Sequence, residues 1–211
     1  MQWHAFESPV HDSQRMFRQL LSAMSEPGTL AAVSDITVRH ILPPAGSAVG
    51  AAGWATLLTL CDLETSVWIA PELNTGGLAD ALTFHTGARM APSAAEADFA
   101  LVLPATLSGQ APAFREGSDT HPDRSTTLVV VLAELEADGP WCLSGPGIAD
   151  VRNLDVGQGG EALMTRLAAN RARFPRGLDA ILTCEERLTA VPRSTCITQV
   201  QIEEGVSCML P

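Results

Sequence analysis

The sequence predicts an α/β fold on a mixed sheet covered on both faces, and three observations predict it. Strand-like and helix-like segments alternate along most of the 211 residues. The strand-like runs are continuously apolar, as strands buried on both faces are. Two of them flank a tight-turn signal, Asp138-Gly139-Pro140, so part of the sheet is expected to be antiparallel.

Element by element, Asp12 reads as the N-cap of a helix to about residue 25, with Met16, Phe17, Leu20, Leu21 and Met24 on one stripe and Pro27-Gly28 as the stop. Residues 29–33 and 36–42 have strand character, broken at Ser34-Asp35 and ended by Pro43-Pro44. Residues 48–61 are small and apolar around Trp54, Leu57, Leu58 and Cys61, which suits a helix packed closely on a sheet. A buried strand is expected over 65–70, a short helix over 78–84 closed by Gly87, and a strand over 98–103 stopped by Pro104. Residues 104–124, broken by Gly and Pro and without periodicity, read as a long surface loop, and loops of that length are more often functional than idle. Residues 126–135 and 141–144 are expected to form a hairpin. A helix over 160–173, a buried strand over 178–183 and an alternating strand over 195–202 complete the chain.

A single domain over 1–211 is expected, since a chain of this length buries roughly 70% of its unfolded surface and needs no disulfide or metal staple. The five cysteines form no C-x-x-C pair, and an odd count suits a reducing compartment. The N-terminus has no basic start or apolar core of a signal peptide, and no run approaches the ~20 residues of a membrane span, so a cytoplasmic protein is expected.

Charge sharpens the chemistry. The formal net charge is −11, all thirteen cationic side chains are arginine, and there is no lysine and no tyrosine. Schiff-base chemistry with pyridoxal phosphate, a Walker-type phosphate lysine and a lysine general base are thereby excluded. The acidic balance argues against a sequence-independent nucleic-acid binder, so any anion must be held locally. Six arginines (166, 171, 173, 176, 187 and 193) fall within 28 residues, which suits a solvated helix face, an anion site or a docking surface. The histidines at 4, 11, 40, 85 and 121 are dispersed, with no i, i+4 pair, so no protein-held metal is expected.

Weaker signals remain. His85 ends a short helix, where it could cap or contact a ligand. His11 to Arg15 packs five polar groups at a helix start, fit for capping or for meeting an anion. Ser144-Gly145-Pro146-Gly147 could let backbone approach a ligand closely or simply turn, and Asp150 stands where a dinucleotide fingerprint would need its third glycine. Gly157-Gln158-Gly159-Gly160 reads as a turn or an anion nest, and Arg193, beside Pro192, suits either a carboxylate of the protein or a bound anion.

In order along the chain, FESPVHDSQRMFRQLLSAMSEPGTL, LCDLETSVWIAPEL, FHTGARMAPSAAEADFALVLP, LSGPGI and FPRGLDAILTCEERLTAVPRST resemble the PhnH family, one of the components of the bacterial carbon-phosphorus lyase core complex. The resemblance implies a three-layer α/β/α sandwich similar to the large domain of pyridoxal-phosphate (PLP) transferases but without PLP. It implies a homodimer joining subunits G, I and J. It also implies a part, with G, I and L, in coupling an alkylphosphonate to C1′ of ATP with loss of adenine, to give a ribose 1-phosphonate 5-triphosphate. The family carries no established catalytic residue over to this chain. If the chain holds a site, Arg15, Arg176 and Arg193 are the electrostatic candidates, His85 is the candidate acid for departing adenine, and Gly145 and Gly147 are the candidate N–H donors. The alternative is a scaffold that acts only through its interfaces. No cofactor is expected.

Overall fold

The computed structural model describes residues 4–33 and 41–200. Its main sheet has seven strands: β1 (Ala31–Ala32), β2 (Ser66–Ile69), β3 (Arg89–Met90), β4 (Phe99–Val102), β5 (Thr127–Val131), β8 (Asp179–Cys184) and β9 (Arg187–Val191). They lie in the order β1-β9-β8-β5-β4-β2-β3. Strands β8, β5, β4, β2 and β3 run parallel, whereas β9 is antiparallel to both β8 and β1. The fold is thus α/β with a mixed central sheet, as expected.

Period-2 alternation divides the core. Leu101, Val129, Val131 and Ile181 face one cluster with Met16 and Leu20 of α1 (Pro9–Ser25), Trp54 and Leu57 of α2 (Ala51–Leu60) and Leu78 and Leu82 of α3 (Leu78–Thr86). Their sheet neighbours Ala100, Val102, Leu128, Val130, Ala180 and Leu182 face a second cluster. That face is covered by Leu163, Met164 and Leu167 of α4 (Glu161–Ala168) and by a three-stranded sheet of β10 (Cys196–Gln199), β6 (Glu136–Ser144) and β7 (Arg152–Asp155). Both faces are buried, which is why the central strands read as unbroken apolar runs.

The first helix starts a turn earlier than predicted. Ser8 is the N-cap and Pro9 takes the first helical position, while the Asp12 carboxylate reaches back to the Ser8 N–H at 2.9 Å. The buried stripe is Asp12, Met16, Leu20 and Ala23; Phe17 and Leu21, assigned to it from the sequence, are 46% and 52% exposed. The α2 helix is apolar on nearly every side because it lies between α1, α3 and the sheet, and a Cβ on Gly53 would come within 3.2 Å of Thr183 Oγ1.

The predicted hairpin between 126–135 and 141–144 does not form. Asp138-Gly139-Pro140 is a bulge inside β6, where the register shifts between Ala137 and Trp141 and Asp138 takes φ 62°. A Cβ on Gly139 would meet the β7 backbone at 2.3 Å, so the glycine serves a close strand crossing. The hairpin of the main sheet is instead β8–β9, turned by Glu185-Glu186 with Glu185 at φ 50°. The α2 N-terminus seats on this turn through Ala52 N–H to Glu185 O, 2.8 Å. The sequence reading places no strand at β3, β7 or β9. The predicted strand over 36–42 falls mostly outside the described residues, and no helix among the described residues is long and apolar enough to cross a membrane.

Candidate functional site

The polar side chains gather where the parallel strands begin. At the head of β4, Asp98 accepts hydrogen bonds from the Ser66 N–H (2.8 Å) and hydroxyl (2.7 Å) and pairs with Arg115. Burial raises the Asp98 pKa, but the Ser66 hydrogen bonds, then the Arg115 hydrogen bond and charge, outweigh it and hold the carboxyl below its ordinary range. At the head of β8, Asp179 receives the Arg193 backbone N–H at 2.8 Å and Arg193 Nε at 3.1 Å from each carboxylate oxygen. Arg193 Nη2 also bonds Asp179 and Ser125 Oγ, and Nη1 donates to Pro122 O. This pair is only 14% and 16% exposed, and every guanidinium nitrogen of Arg193 is committed to the protein.

The arginine cluster is likewise spent on bracing. Arg166 and Arg173 converge on Glu116, Arg176 reaches Asp119 at 3.2 Å, and Arg187 pairs with Glu136 and donates to Leu135 O. Arg166, Arg173, Arg176 and Arg193 tie the 114–126 segment to the sheet and α4, so the density of arginine along the chain is not an open cationic patch.

The predicted candidates do not converge. His85 lies in the last turn of α3, half-buried, edge-on to Trp54 (ring centroids 6.3 Å) and to Phe84 (5.1 Å). Arg15 is exposed on α1. Gly145 and Gly147 take φ 123° and 82° in the turn after β6. A Cβ on Gly147 would lie 2.0 Å from Ser25 O, so this turn abuts the end of α1. Arg152 completes that junction by donating to Glu26 O (3.0 Å) and Pro27 O (2.6 Å), placing a cation at the negative end of the helix. Packing thus accounts for the glycine at 147, and at the Gly157-Gln158-Gly159-Gly160 turn the following helix starts with acidic Glu161.

Neither Cys61 nor Cys184 is primed as a nucleophile. Burial first, then Asp62 and Asp98, pushes the Cys61 thiol up to about 12, and Cys184 is also raised, mainly by burial. Among the described residues no three His, Cys, Asp or Glu side chains gather in a way that could hold a metal.

The sequence reading missed a hollow of about 290 Å³ lined by Arg115, Glu116, Gly117, Ser118, His121 and Arg124. It lies within the long loop expected to be functional; the signal was the loop itself, with two arginines and a histidine in ten residues.

A family model described as bacterial phosphonate metabolism protein (PhnH) matches residues 4–198. The chain is 36% identical over 193 residues, 90% of this chain and 92% of the relative, to a Rhizobium meliloti (strain 1021) protein named alpha-D-ribose 1-methylphosphonate 5-triphosphate synthase subunit PhnH. It is 29% identical over 196 residues, 92% of this chain and 89% of the relative, to a Stutzerimonas stutzeri protein with the provisional name C-P lyase subunit protein HtxG. With the family model covering nearly all of it, the chain belongs to the PhnH family of bacterial phosphonate metabolism proteins.

Proposed function

We propose that this chain is a subunit of the carbon-phosphorus lyase machinery and serves in forming α-D-ribose 1-methylphosphonate 5-triphosphate from ATP and methylphosphonate, with release of adenine. The observation that carries this reading is the 36% identity, over 90% of the chain, to a relative named as a subunit of that synthase. Subunits G, I and L would share the reaction, and a homodimer of this chain would join subunits G, I and J in a cytoplasmic complex. Val10, Phe17 and Leu21, exposed on one side of α1, support the assembly because they give a partner apolar surface to bury. The finer fold likeness, an α/β/α sandwich similar to the large domain of PLP transferases and working without PLP, belongs to the same reading and is supported by a sequence without lysine.

Within that complex a second reading is favoured by a specific observation. Arg193 and Arg176 are held in ion pairs and His85 sits among aromatic rings away from them, which supports a subunit that contributes architecture while its partners supply the reacting groups. Co-expression with subunits G, I and J tests the assignment: the chain should purify within the complex, and a chain that never enters one would sink it. Carrying His85→Gln or Arg15→Gln in an intact complex separates the two readings, since only a catalytic role predicts that phosphonate-dependent growth is abolished.

A further inference from the structure

Residues 115–126 fold back on themselves. Thr126 N–H donates to Arg115 O (2.8 Å), Arg115 N–H donates to Thr126 Oγ1 (3.2 Å), and a bridge joins Glu116 to Ser125. At the tip, Ser118 N–H meets His121 O (3.1 Å) and His121 N–H meets Ser118 Oγ (3.0 Å). Gly117, at φ 74°, lets the arms close, because a Cβ there would press on Pro122 O at 2.8 Å. The hairpin is fastened from outside by Arg193 at Pro122 and Ser125, by Arg166 and Arg173 at Glu116, by Arg176 at Asp119, and by Gly177 N–H at Glu116 O, 2.9 Å. A loop held at so many points is preorganised.

The open hollow it borders is lined by two arginines and one acidic residue. Glu116, its one acidic lining residue, is covered by two arginines. Arg115 shares its charge with Asp98, and the Arg124 guanidinium makes no hydrogen bond or ion pair among the described residues. His121 and the Ser118 hydroxyl add polar hydrogen-bonding groups. Within this hairpin and its braces lie six of the thirteen arginines but only five of the 24 acidic residues (Asp98, Glu116, Asp119, Asp123 and Asp179), so the negative charge resides elsewhere. An anion approaching this acidic protein is repelled over most of it and drawn here. The volume, about 290 Å³, is near the lower end for small-ligand clefts, on the order of 300 Å³.

We propose that this hollow binds the tetrahedral oxyanion head of a substrate, phosphonate or phosphate, with Arg124 and Arg115 as its cationic donors and His121 and Ser118 at its rim. Planar guanidinium groups suit two oxygens of such a head at once. The choice of a phosphorus oxyanion rests on the family reading; the hollow itself rests on geometry and charge.

The test is calorimetric titration of the purified full-length chain, at low salt, with methylphosphonate, ATP and inorganic phosphate, checked by phosphorus NMR line broadening. At least one of the three should bind, and Arg124→Gln should weaken that binding roughly tenfold or more, the loss of a charge-assisted contact. Melting temperature should barely change, because Arg124 is exposed and its guanidinium makes no hydrogen bond or ion pair among the described residues, while Arg171→Gln, outside the hollow, should bind as the parent does. Methylphosphonate binding alone would assign the phosphonate head, and ATP binding alone the triphosphate tail. No binding of any of the three, or binding indifferent to Arg124→Gln, overturns the site. Failure to enter the co-expressed complex while Arg124-dependent binding persists would instead overturn the family role and leave the hollow standing.

Discussion

At the scale of single residues, Arg193 shows how a side chain suited to a ligand becomes part of the frame. Its guanidinium faces Asp179, Ser125 and Pro122 in a pair that is largely buried, and removing one partner of such a pair costs about 3 kcal/mol or more because the other charge is left uncompensated. Arg193→Ala is therefore expected to lower the melting temperature by roughly 6–12 °C, measured by calorimetry, at about 2–4 °C per kcal/mol for a chain of this size. A growth defect in that variant would report lost stability before lost chemistry. The sequence offered no way to see this, since Arg193 and Asp179 stand fourteen residues apart on opposite sides of a hairpin that was not predicted. Asp98 carries a pH signature. Its folded pKa is lowered, so the stability it contributes is complete above the ordinary carboxylate range and drains away as pH falls below about 4. Asp98→Asn should flatten the acid limb of a stability-against-pH curve and lower the neutral plateau; a limb as steep as the parent's would contradict the assignment.

Among the elements, what was legible was whatever periodicity and apolar runs announce. The α1, α2 and α3 helices and strands β2, β4, β5 and β8 all lie within or close to segments predicted from the sequence. The misses share a cause, namely turn chemistry that contradicts the usual signals. Asp138-Gly139-Pro140 has the composition of a turn and is a bulge, because β7 crosses too closely for any side chain at Gly139. Glu185-Glu186 has the composition of a helix and is a two-residue turn, held by the α2 N-terminus. On α1 the stripe read from the sequence holds at Met16, Leu20 and Met24, but a buried carboxylate, Asp12, joins it and two large apolar residues, Phe17 and Leu21, do not. That exposed face predicts a phenotype: Phe17→Asp with Leu21→Asp should leave the melting temperature of the isolated chain within a few degrees, yet prevent recovery of the chain in the co-expressed complex. Recovery equal to the parent's would rule out α1 as a contact surface.

Across the whole molecule, charge is sorted rather than spread. The 104–124 segment was recognisable as more than a connector, but its arrangement was not, because the groups that fasten it come from positions 166–193 and the sequence does not say which arginine meets which acid. Thirteen arginines are not a reserve of binding cations, because five of the six clustered ones (166, 173, 176, 187 and 193) pair with the protein's own carboxylates. The hollow, in contrast, owes its charge to a residue outside that cluster, Arg124.

The position of β8 bears on how the chain comes into being. This strand lies inside the main sheet between β5 and β9, yet it is drawn from residues 179–184, far along the chain from β5 at 127–131. During synthesis the ribosome has delivered β2 to β5 long before their neighbour exists, so β5 waits as an open apolar edge and the 115–126 hairpin waits without its fasteners. A chain truncated after residue 170 should expose both. Limited proteolysis should cut it within 104–126, where the full-length protein resists, and it should precipitate during expression. Closure of the main sheet is therefore expected to be a nearly all-at-once event, completed only when residues 179–191 emerge.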